Sequence, residues 1–201
     1  VVRANSNFDS HGFTIHPMFL LKPPDRKAIT CYVPYRCLLP RGLDGILVTG
    51  LGVSAHRDVM PVIRMQPDVQ NQGYAAGVAA AMAIKANQKL RDIDIRALQR
   101  HLVEKGNLPA EVLSHEDSFP LPEDRIEQAV ASLTNGFEGV EIIYAQPEAA
   151  LPLLRRAYEK ASGKDKLTYA HILGIMGEDI GTETLIKARS EEHTSELQSL
   201  L

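Results

Sequence analysis

The most constraining stretch runs from Ile46 to Ala83. It reads in order as a short apolar run, a glycine, an irregular loop and an alanine-rich helix. Gly45 to Gly50 has the pattern of a buried strand: Ile46-Leu47-Val48 is continuous, turn residues precede it and glycine follows. Residues 52–66 mix polar and apolar positions without a period, so they form a loop. Pro67 to about Asn87 is predicted to be helical, because proline suits a first turn where its missing N–H costs nothing. A strand that ends in glycine leaves room for something to lie against its backbone.

The helix carries a second constraint. Gly73, Ala76, Gly77, Ala80 and Ala83 or Ala81 recur at helical spacing, and a face of such small residues admits a sheet or a flat ligand closely. Its first turn offers unpaired N–H groups and the positive end of the helix dipole. Arg64 stands just before it and adds a fixed positive charge. Such a spot favours an anion or a carbonyl gathering negative charge. A reduced flavin, with its charged N1–C2=O edge, fits that description, and so does a phosphate.

Around this unit the chain is mixed. Residues 1–39 hold β-type stretches, GFTIH and AITCYVPYR, separated by a Pro-Pro loop. A second helix is predicted from about Asp94 to Lys105, with Ile95, Leu98 and Leu102 on one face and Gly106 as its stop. Residues 107–121 read as a linker. Beyond them PEDRIEQAVASL, PEAALPLLRRAYEKA, KLTYAHILGIMG and ETLIKA read as short helices, and paired helices of this length suggest a stacked array.

The composition excludes several classes. With 44% hydrophobic and 23% charged residues the chain has the make-up of a soluble globular protein. A net charge of −3 supplies no field for nucleic acid or an anionic membrane. Cys31 and Cys37 flank five residues, which is neither a zinc spacing nor a disulfide framework. His11 and His16 are five apart, wrong for two ligands on one helical face, so no metal site is expected.

Both ends call for care. The chain starts at Val1, with no initiator methionine, so further sequence is expected before it. Its end, RSEEHTSELQS from Arg189 to Ser199 followed by Leu200 and Leu201, resembles one reading frame of a common sequencing-library adapter. Residues 189–201, His193 included, are therefore left out of the functional reading.

The stretch from Pro34 to Ala83 also resembles the C-terminal flavin-domain segment of the FAD-dependent oxidoreductase family. The residues that carry the likeness are Pro34, Tyr35, Arg36, Leu38, Pro40, Gly42, Gly50, Ser54, Arg64, Pro67, Gly73, Ala75, Ala76 and Gly77. From Ser54 to Gly77 the spacing needs no gap. There are departures. Leu51 stands where the family commonly has arginine, the family's histidine falls at Arg57 with His56 one place earlier, and Pro61 replaces a glycine.

The resemblance implies an α/β fold: the C-terminal part of a two-part Rossmann-like FAD domain over residues 1–106, then a small all-α region at 122–188. It places Gly50, Leu51, Gly52 and Ser54 along the ribityl chain. Arg64, Met65, Gln66, Asp68 and Val69 fall at the pyrimidine side of the isoalloxazine, and Gly73 is a further cofactor-binding position. FAD is the implied cofactor, hydride transfer the implied reaction and a small molecule the implied substrate. Arg64 is the expected electrostatic stabiliser, with His56, Arg57 and His16 as candidates for substrate contact or proton transfer. The glycine-rich motif that grips the pyrophosphate is absent from the 201 residues. The helical region resembles HEAT repeats and leaves room for a protein partner. The alternative function is a non-catalytic HEAT-type interaction module on a Rossmann-like remnant, and a non-redox nucleotide binder also remains open. A glycine-rich motif upstream would decide for the enzyme.

Overall fold

The computed structural model describes residues 1–8, 12–23 and 27–199, with side chains described up to 191. His11, His193, Leu200 and Leu201 carried sequence expectations; His11 and the two leucines lie outside the described residues, as does the His193 side chain. The chain divides into two compact units. Unit 1 comprises Val1–His16 and Pro24–Glu116, and unit 2 comprises Pro17–Pro23 and Asp117–Leu201.

Unit 1 opens with β1 (Val2–Asn7), which pairs antiparallel with β2 (Ala28–Val33); Val2 faces Val33 and Asn7 faces Ala28. AITCYV thus forms the expected strand. GFTIH does not: Phe13 and Ile15 are exposed, and the segment's backbone is held by a side chain described below. β1 escaped the sequence reading because VRANSN has only small apolar residues at its buried positions, Val2 and Ala4.

The strand expected at Gly45 to Gly50 is also missing. Residues 46–49 belong to no helix or sheet, and Ile46 is 47% exposed. A strand of this kind is stabilised by neighbours on both sides, and among the described residues the only sheet is the β1–β2 pair. Instead the segment hangs from the turn at Tyr35–Leu38: Val48 N–H donates to Leu38 O at 2.8 Å and Ser54 N–H to Cys37 O at 2.9 Å.

The helices of unit 1 follow their sequence signals. α2 (Met60–Ile63) is one turn. α3 (Gln66–Ala86) begins at the expected proline and ends at Asn87, whose left-handed φ of 49° lets the Asn87 and Gln88 N–H groups bond back to Ile84 O and Ala83 O. α4 (Ile95–Glu104) is capped by Asp94, whose side chain accepts from Ala97 N–H at 3.0 Å, and stops at Gly106 with φ +77°. Leu98 and Leu102 are fully buried. The residues after α4 stay with unit 1, since Leu108 and Val112 are buried.

α3 divides its small residues between two faces. Ala75, Ala76, Ala79 and Ala83 are buried, and the helix packs on β1 and α4. Gly73, Gly77, Ala81 and Ile84 lie on a stripe that is exposed, and a Cβ built on either glycine would meet nothing within 4 Å.

Unit 2 is helical: α1 (Met18–Leu21), α5 (Glu123–Ser132), α6 (Val140–Ala145), α7 (Pro147–Lys160), α8 (Gly163–Ile175) and α9 (Thr182–Ser199). Ile126, Leu133, Ile143, Leu154, Ile172 and Leu173 form the heart of its core. α9 continues past ETLIKA through the adapter-like residues, of which Arg189, Ser190 and Glu191 are exposed.

Within the unit two stretches share a spacing that the sequence analysis had not located. Ile126 and Leu167, Ala129 and Ala170, and Gly136 and Gly177 stand 41 residues apart. After a one-residue insertion, Gly139 pairs with Gly181 and Ile143 with Leu185. Gly136 and Gly177 both have positive φ, at +69° and +87°. A Cβ on Gly139 would come within 2.9 Å of Ala129 Cα, and one on Gly181 within 2.9 Å of Ala170 Cα. The insertion and the intervening α7 hide this period from simple inspection.

Candidate functional site

The site begins where the apolar run ends. Gly50–Gly52 makes one turn of 3-10 helix, and Gly50 has φ +68°, a conformation glycine adopts without penalty. Gly50 N–H donates to Gln72 Oε1 at 2.9 Å, and Gln72 Nε2 donates to Ile63 O at 3.1 Å. Gln72 has no exposed surface. One buried amide, satisfied at both ends, therefore ties the turn, the end of α2 and the body of α3 together. Val69 supports the turn from below, its Cγ1 3.6 Å from the Cβ position of Gly50. A Cβ on Gly52 would press on Val48 Cγ1 at 3.0 Å. Leu51 projects outward and is 75% exposed.

The second part is the start of α3. Met65 occupies the N-cap, and no side chain caps the helix. The first-turn N–H groups of Gln66 and Asp68 thus have no intrahelical acceptor. Asp68 is buried; one carboxylate oxygen accepts from Met65 N–H, and Oδ2 has no hydrogen-bond partner. Burial pushes the Asp68 pKa up, against the Met65 hydrogen bond that pulls it down. Met65, Pro67, Asp68 and Asn71 line a cleft of about 400 Å³ together with Arg3 and Asn5. Arg64 is half-buried and closes α2 two residues before α3 begins.

The third part gathers around Asp58, which is 8% exposed. Its Oδ2 accepts from Ile15 N–H at 2.9 Å and His16 N–H at 2.7 Å. Its own N–H donates to His56 Nδ1 at 3.1 Å. The His16 and His56 rings meet edge to face, 5.3 Å between centroids. Arg57 Nη1 donates to Phe13 O at 2.8 Å.

The sequence candidates therefore fall into two groups. Gly50 meets α3 at Val69 and Gln72; Met65 and Asp68 line the cleft at the start of that helix, Gln66 and Gly73 are exposed on it, Arg64 leads into it and Ser54 is tied back to Cys37. His16, His56 and Arg57 come together around Asp58. Gln72 and Asp58, the buried residues that organise the two groups, were not among the candidates. Asp58 carried one usable signal, its place two residues after a histidine in a helix-start position. Gln72 carried none.

Among the described residues, no three His, Cys, Asp or Glu side chains are grouped to hold a metal ion, and no helix is long and apolar enough to cross a membrane. Cys31 and Cys37 are free and partly buried, and burial pushes both thiols up.

A family model described as FAD dependent oxidoreductase matches residues 1–102, half of the chain. No curated protein matches the chain, and no solved structure does.

Proposed function

The chain belongs to the FAD-dependent oxidoreductase family, and from that premise we propose that Gly50 to Ser54 and the start of α3 form one wall of the FAD site. FAD is the cofactor, and when bound it supplies the hydride-accepting ring. The substrate of such an oxidoreductase is a small molecule.

The residues present fit the group. The Gly50 turn offers bare backbone at Gly50 and Gly52, with Leu51 between them as its one exposed side chain. The uncapped start of α3 offers N–H donors for the carbonyl oxygens of a ring edge. Asp68 Oδ2, a buried acceptor without a donor, suits a ring N–H. Arg64 adds positive charge to the dipole end of the same helix. Gln72 keeps the turn and the helix in register, so these groups are fixed before any ligand arrives. The observation that carries the reading is the Gln72 clamp on Gly50: a fully buried amide holds a positive-φ glycine beside an uncapped helix start.

The glycine-rich pyrophosphate grip is absent from the 201 residues, so we infer that it comes from another segment and that these residues alone bind FAD weakly. The test is hydrogen exchange on the complete gene product with and without FAD. The amides of Gly50 to Ser54 and of Gln66, Asp68 and Val69 should slow on binding. Protection confined to other segments would overturn the wall assignment.

A second reading, unit 2 as a HEAT-type protein-binding module, is favoured by the recurrence of the Gly139–Ala129 contact at Gly181–Ala170. It becomes the primary function if the folded complete gene product takes up no flavin.

A further inference from the structure

We propose that Asp58 is the positioning residue for His56, and that His56 meets a substrate carboxylate oxygen through its Nε2–H, with Arg57 beside it. The inference takes the oxidoreductase reading as its setting. It rests on the hydrogen bonds around Asp58 and on nothing in the FAD wall.

A backbone N–H can only donate. The Asp58 N–H at 3.1 Å from His56 Nδ1 therefore makes Nδ1 the acceptor and leaves the ring proton on Nε2. A neutral imidazole has one lone pair able to take a proton, and here it is occupied. His56 is thus built as a hydrogen-bond donor, which sets aside its role as a general base. The His56 side chain is 49% exposed, so the ring remains open to a ligand.

Asp58 arranges the surroundings as well. Its Oδ2 lies 3.9 Å from His56 Nδ1, within reach of pulling the proton to that nitrogen. Two backbone donors, Ile15 N–H and His16 N–H, occupy that oxygen instead. The same bonds seat His16, whose ring abuts His56 edge to face. Arg57 gives Nη1 to Phe13 O, and its other guanidinium N–H groups have no acceptor among the hydrogen bonds and ion pairs of this cluster. Among the described residues of this cluster the outward-facing groups are then donors, the imidazole N–H and a planar guanidinium, while the Asp58 carboxylate is turned inward. That set matches a carboxylate ligand.

Nitrogen-15 NMR on the 201-residue chain at neutral pH tests this. His56 should show an unprotonated Nδ1 and a protonated Nε2. Added acetate should shift the Nε2–H resonance saturably, beyond the effect of sodium chloride at equal ionic strength. Arg57→Gln should weaken acetate binding at least several-fold while the tautomer persists. Asp58→Asn should remove the contact between the His16 and His56 rings and mix the two tautomers. If that variant unfolds, His56→Gln serves instead: acetate should then leave the Ile15 and His16 amides unmoved. A proton on Nδ1 in the wild-type chain, or an acetate response equal to that of chloride, would overturn the proposal. Neither result depends on flavin, so failure here leaves the FAD assignment standing, and loss of flavin binding would not mimic it.

Discussion

In unit 2, a Cβ built on Gly139 or Gly181 would stand 2.9 Å from the Cα of an alanine on the facing helix; in unit 1, one built on Gly73 or Gly77 would meet nothing within 4 Å. Glycine inside a helix is unfavourable relative to alanine by roughly 0.5–1 kcal/mol. In unit 2 the two glycines stand just before α6 and α9 and not inside them, and the close approach of two backbones requires them, so the reason for glycine is contained within the unit. Gly73 and Gly77 do lie inside α3, and nothing among the described residues offsets that cost. The proposed FAD wall would supply a reason, a flat cofactor lying against that face of α3. An open glycine stripe and a closed glycine contact look alike in sequence and differ in what they say about partners.

The largest expected effect tests the closed side. Gly139 combines the contact with a φ of +83°, so Gly139→Ala suffers both backbone strain and overpacking. It should lower stability in urea unfolding by on the order of 3–4 kcal/mol. Gly181→Ala, with the contact alone, should lose about 1–3 kcal/mol. Equal losses at the two positions would show that φ contributes nothing and that the repeat contact alone decides.

Next is the clamp that joins the open side to its turn. Gln72→Ala leaves Gly50 N–H and Ile63 C=O without their partner and should cost about 2–3 kcal/mol in the same unfolding measurement. It should also raise amide exchange at Gly50 well above that of its neighbours. A loss below about 0.5 kcal/mol, in the range of a surface substitution, would mean that water replaces the amide and the turn is not held from α3.

Arg64→Ala acts on charge rather than on folding. A cation about 4 Å from developing charge, in an effective dielectric of roughly 20, contributes on the order of 4 kcal/mol of raw attraction. Water returning to the site leaves a net effect of about 1–3 kcal/mol. For a two-electron couple this lowers the flavin midpoint potential of the complete gene product by roughly 20–60 mV. Arg64→Lys should restore only part of it. An unchanged potential in a folded, flavin-bound Arg64→Ala protein removes Arg64 from the site.

The smallest effect has the opposite sign. Gly73→Ala and Gly77→Ala should each stabilise the 201-residue chain by up to about 1 kcal/mol, because their Cβ atoms enter open space. In the complete gene product the same changes should weaken FAD retention or folding. If they are harmless there too, the open stripe is only a poor helix face.

The helices were legible because their signals are local. Pro67 and Asp94 mark starts, and Asn87 and Gly106 mark stops by their backbone conformations. The FAD relationship was legible in the spacing of Gly50, Ser54, Arg64, Pro67 and Gly73. The strand expected at Gly45 to Gly50 was not realised, because strand formation depends on neighbours that a local pattern does not report. The organisers of the candidate site, Gln72 and Asp58, stayed hidden for a related reason. Both are polar residues whose burial depends on distant backbone groups, at Gly50 and Ile63 for the one and at Ile15 and His16 for the other.

The Gly139–Ala129 and Gly181–Ala170 contacts carry a consequence for how unit 2 can change over generations. In each, main chain rests on main chain, so the separation of the two segments is gauged by atoms that every amino acid shares. Side chains elsewhere on those helices can drift freely while that gauge keeps its setting. A further copy of the 41-residue period, added by duplication, would inherit the same spacing with no new junction to invent.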